Sequence, residues 1–194
     1  MTSHIGNIDD LNTWCWAQLR RAAHDRHSEF RWLNIATVDA TGAPQVRTVV
    51  LRDVDQNTRR VTFHTDRRSR KLAELSTQNT VALHFHSRRH AIQMRFAGLA
   101  RSSSEHDRSA AWLQLYENAK ATYSQMMPSG SRLDPRDKNA LDGPCNTTDG
   151  YSNFVVIDVS VSSIDWLELD TRGHRRALLT YRPSGGLEGA WVAP

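Results

Sequence analysis

Residues 63–71 read FHTDRRSRK and set four cations, Arg67, Arg68, Arg70 and Lys71, within five positions directly after the apolar end of a candidate strand. Such a run is either a charged turn in water or an anion site. Ser69 stands where it would cap a short helix, RKLAELST. A helix N-terminus offers unpaired N–H groups and the positive end of a dipole, which suits a phosphate. Cations in that first turn oppose the dipole, so Arg70 and Lys71 there carry a local cost that a bound anion would offset. Upstream, QVRTVVLRD alternates so that Arg47, Val49 and Leu51 share one strand face and Thr48, Val50 and Arg52 the other. An arginine among such apolar neighbours needs a partner. Gln93 interrupts the apolar strand AIQMRF in the same way, and DWLELDTRGHRR follows Trp166 with Arg172, His174, Arg175 and Arg176. The cations fall in three small clusters, at 67–71, 88–89 and 172–176. That pattern fits convergence on one compact anion better than a stripe tracking a nucleic-acid backbone.

The elements that must hold these residues are mostly strands. Asp9 or Asp10 can cap a first helix running to about Ala23. FRWLNIATVDATGAPQVRTVVLRDV reads as two strands around a turn at Gly42 and Pro44, and RRVTFHT as a third. TVALHFH and AIQMRFAGLARSS follow as the fourth and fifth. SSEHDRSAAWLQLYENAKATYSQ changes to helical period and reads as one helix, with Ser102 and Glu105 at capping-box spacing. Residues 127–150 hold three of the six prolines and no periodicity, a long loop that is either functional or mobile. NFVVIDVSV, SIDWLEL and RALLTYR return to strands before a terminal AWVAP. Consecutive strands with short turns and a few helices predict a mainly β fold, an antiparallel, Greek-key-like barrel with flanking helices, in one domain spanning 1–194.

Composition narrows the setting. The 194 residues are 39% hydrophobic and 24% charged, with a formal net charge of +4, as in an ordinary globular domain. No apolar run approaches the roughly 20 residues that span a bilayer, and MTSHIGNIDDLNTW lacks the pattern of a secretory leader. The expectation is a cytoplasmic protein without membrane or nucleic-acid partners. Cys15 and Cys145 then read as free thiols.

With these residues in view, the sequence resembles the pyridoxamine 5′-phosphate oxidase-related family of FMN-binding split barrels. RTVVLR resembles that family's Arg-x-Val-Leu-Leu-Lys strand, and FHTDRRSRK its Phe-Tyr-Thr-x-x-x-Ser-Arg-Lys segment, with His64 in place of tyrosine and Arg52 in place of lysine. The resemblance implies that FMN is the cofactor. It places the strand Arg47, Thr48, Val49, Val50, Leu51 and Arg52 along the flavin, with Arg47 toward the phosphate. It implies further that Thr65, Arg70 and Lys71 grip the ribityl phosphate, that His64 and Ser69 belong to the cofactor-binding set, and that Gln93 reaches the flavin ring. Trp166 and Arg176, ten residues apart, match the family's C-terminal pair, and AWVAP its closing segment. Arg52, Arg172 and His174 stand at the spacing of substrate-facing residues. The resemblance also implies a homodimer with FMN in a groove between subunits.

One element departs from the family. Its oxidases carry a Tyr-x-x-x-Arg-x-x-x-Ser set on the helix after the fifth strand, and HDRSAAWLQLYENAKATYSQ does not hold that triplet in register. The expected function is therefore an FMN-dependent oxidoreductase acting on a small anionic substrate other than pyridoxamine phosphate. No catalytic acid or base is nominated, because the chemistry would belong to the cofactor. A flavin carrier or sensor without turnover is the alternative. A metal or haem site built from His64, His84, His86 and His90 lacks carboxylate and cysteine companions, so no metal is expected.

Overall fold

A computed structural model of the chain describes residues 5–125, 127–132 and 149–194. Its strands form one eight-stranded antiparallel sheet in the order β3-β2-β1-β4-β5-β6-β7-β8. The strands are β1 (Trp32–Val38), β2 (Pro44–Asp55), β3 (Arg60–Asp66), β4 (Thr80–Ser87), β5 (Ile92–Ser102), β6 (Phe154–Glu168), β7 (Arg175–Tyr181) and β8 (Leu187–Val192). β3 also pairs with β6, from Arg60↔Ser160 to Asp66↔Phe154, and this closes β1–β6 into a barrel. The neighbours β4-β1-β2-β3 make the expected Greek key. β7 and β8 extend the sheet beyond the barrel along the second half of β6.

Alternation explains the core. Leu33, Ile35, Leu51, Phe63, Leu83, Phe85, Met94 and Phe96 point inward and are buried, while their strand neighbours face out. β6 is one continuous strand of 15 residues rather than the two expected, because its first half pairs with β3 and its second with β7 while β5 spans both. β5 meets it through a register shift at Ala97/Gly98. A Cβ at Gly98 would lie 2.3 Å from the Ser160 carbonyl oxygen, so the strands can approach there only with glycine.

The helices are α1 (Ile8–His24), α2 (Arg70–Thr77), α3 (Glu105–Leu113), α4 (Glu117–Tyr123) and α5 (Gly150–Asn153), with a 3-10 turn at Glu29–Arg31. α1 buries Leu11, Cys15, Trp16 and Leu19. Its cap is Asn7, whose side chain accepts from the Asp10 N–H; Asp9 and Asp10 sit in the first turn, where they favour the dipole. The single helix expected after β5 is two. Ser104 caps α3 by accepting from the Asp107 N–H, since Ser102 still belongs to β5. The helical period gives out at Leu113 and Tyr116, both exposed, and α4 starts afresh after them. Most of the expected 127–150 loop, and Cys145, lie outside the described residues. Among the described residues no helix is long and apolar enough to cross a membrane.

Candidate functional site: a cationic end of the barrel and two adjoining cavities

The four-cation run divides cleanly. Arg67 donates from Nε to the Ser152 carbonyl at 3.1 Å, and its backbone N–H bonds Asn153 O at 2.7 Å, which fastens the turn to α5. Arg68 is paired with Asp66 at 2.7 Å and reaches Gln125 O at 2.8 Å. These two cations have structural work. Arg70, in contrast, is exposed with no hydrogen bond or ion pair among the described residues. Among the described residues, Lys71 Nζ donates only to Thr65 Oγ1, at 2.9 Å.

Thr65, Ser69 and Lys71 gather where β3 turns into α2. Thr65 and Ser69 are buried, their hydroxyls 3.3 Å apart. Ser69 occupies the cap position of α2 as expected, but its hydroxyl donates back to Asp66 O at 2.6 Å, so no side chain caps the helix. Burial, and then the nearby Arg47, hold the Lys71 pKa below the ordinary lysine value. Desolvated cation, buried hydroxyls and uncapped helix start together make an anion-binding corner. Thr65, Ser69 and Lys71 line a cavity of about 260 Å³ whose other wall is Tyr123, Gln125 and Met127.

Arg47 lies on the inward side of β2 with Val49 and Leu51 and finds a protein partner. Its Nη2 stands 2.7 Å from Oε2 of Glu74, a buried carboxylate on α2. Arg47 also donates to Thr37 Oγ1, and the Thr37 hydroxyl donates to Glu74.

On the outer face of the same strands lies a larger cavity of about 370 Å³, between β2, β3, α3 and the end of α1. Arg52 and His64 both face it. Arg52 is the extra residue where the β2–β3 register shifts between Leu51 and Asp53, and that bulge aims it sideways. Its Nε is buried without a hydrogen-bond partner, as is Nδ1 of His64. Burial, then the Arg52 charge, lower the His64 pKa to about 4, so the ring is neutral near pH 7. Phe154 holds it edge-on at 4.9 Å, and Tyr123 meets the other side of Phe154 at 5.0 Å. Burial pushes the Tyr123 hydroxyl up to about 12.

The remaining sequence-derived residues lie elsewhere on the sheet. Thr48 bonds Asn34 on the outer face, where Val50 pairs with Trp32. Gln93 is half-buried on the outer side of β5, opposite His86 and Leu167. Trp166 is fully buried between Trp14 and Trp191, its Nε1 without a partner. Arg176 pairs with Asp165 at 2.8 Å. Arg172 pairs with Asp170 at 2.9 Å in an exposed turn that also holds His174. The structure thus brings Arg47, Thr65, Ser69 and Lys71 together and sets Arg52 and His64 nearby, but does not bring Gln93, Trp166, Arg172, His174 or Arg176 to them within one chain. The histidines do not converge either. His84 and His86 stack on β4, while His90 Nδ1 bonds the Ser87 hydroxyl at 2.8 Å.

Sequence reading missed Thr37, Glu74, Arg31 and Tyr123. Glu74 had a visible trace, an acid one helical turn after the Arg70-Lys71 pair. Arg31 and Tyr123 had none, since each is brought in by chain folding over long separations.

A closed barrel with a two-strand extension and an anion corner at one end defines an FMN-binding split barrel. Residues 13–104 match the family described as pyridoxamine 5′-phosphate oxidase, FMN-binding domain. A 99-residue stretch is 34% identical to a pyridoxine/pyridoxamine 5′-phosphate oxidase of Allorhizobium ampelinum, over 51% of this chain and 41% of that protein. Another of 63 residues is 38% identical to pyridoxine/pyridoxamine 5′-phosphate oxidase 2 of Arabidopsis thaliana, over 31% of this chain and 32% of the relative. The matches therefore span less than half of these curated relatives. In fold, the chain superposes on a pyridoxamine 5′-phosphate oxidase-related, FMN-binding protein of Nostoc punctiforme with a TM-score of 0.76 at 23% identity, covering 93% of this chain and 96% of that one. PhzG of Burkholderia lata, solved with tetrahydrophenazine-1-carboxylic acid, gives 0.76 at 18% identity, over 99% and 95% of the two chains. Residues 13–104 thus match an FMN-binding domain, and the whole chain has the fold of pyridoxamine 5′-phosphate oxidase-related FMN-binding proteins, so the cofactor the match assigns is FMN.

The residues present fit that cofactor. A terminal phosphate asks for several donors and positive charge, which Thr65, Ser69, Lys71, Arg70 and the start of α2 supply. The Arg52 Nε and His64 Nδ1 atoms, buried without a hydrogen-bond partner, add polar groups on the outer face of β2 and β3.

Proposed function

We propose that the protein is an FMN-dependent oxidoreductase acting on a small anionic substrate, with the whole chain working as one domain. The observation that carries this is the division of the cationic run. Arg67 and Arg68 are spent on the protein, while Lys71 is desolvated beside two buried hydroxyls, with no carboxylate in ion-pair contact among the described residues. A second partnerless cation, Arg52, then opens on a separate cavity large enough for a substrate.

In this reading bound FMN accepts the hydride equivalent and passes electrons to dioxygen or another acceptor. The chain's residues bind and orient. Thr65, Ser69, Arg70 and Lys71 hold the phosphate, and Arg47 with Glu74 fixes the strand and helix that carry them. Arg52 and neutral His64 face the substrate side. Gln93, Arg172, His174 and Arg176 join the site from a second subunit in a homodimer, while Trp166, buried in its own chain, supports the sheet that carries them. The outer face of β1 and β2 supports such a dimer, because Trp32 and Val46 stand 59% and 67% exposed on adjacent strands. We place the protein in the cytoplasm.

The test is the visible spectrum of freshly purified protein, with identification of the chromophore that heat releases, followed by anaerobic mixing with small carboxylates, amines and alcohols. FMN release and bleaching by one of these is the expected result. A yellow protein that no member of the panel bleaches would favour a flavin carrier or sensor. Sedimentation of the holoprotein as a monomer would remove the shared site.

A further inference from the structure

Within this oxidoreductase reading, the larger cavity indicates what its substrate presents to the protein. Arg52 stands in that cavity with a buried, partnerless Nε and no carboxylate in ion-pair contact among the described residues. The groups that act on its charge are Tyr123 and a second cation, Arg31. Arg31 comes from the 3-10 turn, where its Nη1 donates to the carbonyls of Ala23 at 2.6 Å and Ala22 at 3.3 Å at the end of α1. Those bonds fix one edge of the guanidinium beside the cavity. Two like charges facing one half-buried space, with neutral His64 between the strands, are a standing cost that a bound anion removes. The third arginine of the cavity differs, since Arg60 is balanced by Asp53 at 3.4 Å and Asp158 at 3.8 Å.

The opposite wall decides which anion. α3 contributes Asp107, Ala110 and Ala111 and the turn after it Gln114 and Leu115, so this wall offers apolar surface, one amide and one carboxylate but no cation. A phosphate dianion there would bring its second charge against the Asp107 carboxylate. A carboxylate has two oxygens, which the fork of one guanidinium can satisfy, and carries half the charge.

We propose that Arg52, with Arg31 beside it, holds the carboxylate of a small, mainly apolar organic acid in this cavity, the apolar part lying against Ala110, Ala111 and Leu115. Arg31 is then a specificity residue from outside the cofactor motifs.

Calorimetric titration of the FMN-loaded protein with benzoate, benzamide and phenyl phosphate tests this. Benzoate should bind at least about 10-fold more tightly than either of the others. Arg52→Met should weaken benzoate about 10- to 100-fold, the loss of one charge-assisted contact, and leave benzamide within about threefold. Arg31→Met, which spares the flavin residues, should weaken benzoate by about 3- to 10-fold with FMN content unchanged. Phenyl phosphate binding as well as benzoate, or equal losses for benzoate and benzamide in the variants, would overturn the assignment. FMN content, read from the absorbance spectrum, separates the two levels of failure. Yellow protein that ignores benzoate overturns the carboxylate site alone, whereas protein that takes up no flavin overturns the oxidoreductase reading and this inference with it.

Discussion

Arg47 and Glu74 form an ion pair across the end of the barrel, Nη2 to Oε2 at 2.7 Å, that joins β2 to α2. The hydroxyl of Thr37 links both side chains from β1. This pair sets where α2 begins, and therefore where Ser69, Arg70 and Lys71 stand. Arg47 thus acts on the anion corner partly through a buried carboxylate rather than by charge alone.

Removing one partner of a buried pair leaves the other charge uncompensated, which costs about 3 to 5 kcal/mol. Arg47→Ala should accordingly lower the unfolding free energy of the apoprotein, and weaken FMN as well. Arg47→Ala combined with Glu74→Gln should recover most of the stability but not the FMN affinity. Urea titration and flavin fluorescence quenching measure the two separately. Full recovery of both would mean that Arg47 serves only the fold.

The pair also shows what the sequence could and could not display. The strands were legible because alternation of apolar residues is a local pattern, as in Leu33, Ile35 and Leu51, and the family motifs lie within single strands or turns. That Arg47 needed a partner was legible too. That the partner is Glu74 was not, because 27 residues separate them and only barrel closure brings them together. Trp166 shows the same boundary: its motif spacing points to a ligand, while its place in this chain is between two other tryptophans. The break between α3 and α4 was hidden because LQLYENAK has good helix formers and no proline or glycine.

The two halves of the cationic run should respond differently. Lys71→Met should weaken FMN by about 1.5 to 3 kcal/mol, the worth of a charge-assisted hydrogen bond. It should not destabilise the apoprotein, because this desolvated lysine has no carboxylate in ion-pair contact among the described residues. Arg67→Ala, at an exposed turn, should change FMN affinity by less than about 1 kcal/mol. Flavin titration of both variants checks this, and equal losses would erase the distinction between site and turn.

Stability should fall between about pH 6.5 and pH 4 through His64. Burial, then Arg52, lower its pKa from 6.5 to about 4, so over that window the unfolded chain binds a proton that the folded chain does not. Unfolding free energy therefore rises with pH there, and the contribution is level above the unfolded pKa. The full loss is on the order of 3 kcal/mol. His64→Phe should flatten this part of the profile in urea titrations at pH 4.5, 5.5 and 7. A slope unchanged in the variant would assign the titration to other groups.

Pyridoxamine 5′-phosphate should be a poor substrate despite the family that residues 13–104 match. The wall facing α1 presents Asp107, Ala110 and Ala111 from α3 and Gln114 and Leu115 from the turn after it, and none of these is a cation. Arg172 is committed to Asp170 in an exposed turn, although a second subunit could present it and His174 to the site. A phosphate held by part of its donors loses charge-assisted bonds worth about 1.5 to 3 kcal/mol each. Two such losses lower affinity by roughly two to four orders of magnitude, since about 1.4 kcal/mol is tenfold. Anaerobic mixing of the yellow protein with excess pyridoxamine 5′-phosphate should therefore leave the flavin oxidised for many minutes. Rapid bleaching, with pyridoxal phosphate released once air is admitted, would show that Arg52 and the C-terminal turn suffice to hold the phosphate, and would restore the vitamin as the substrate.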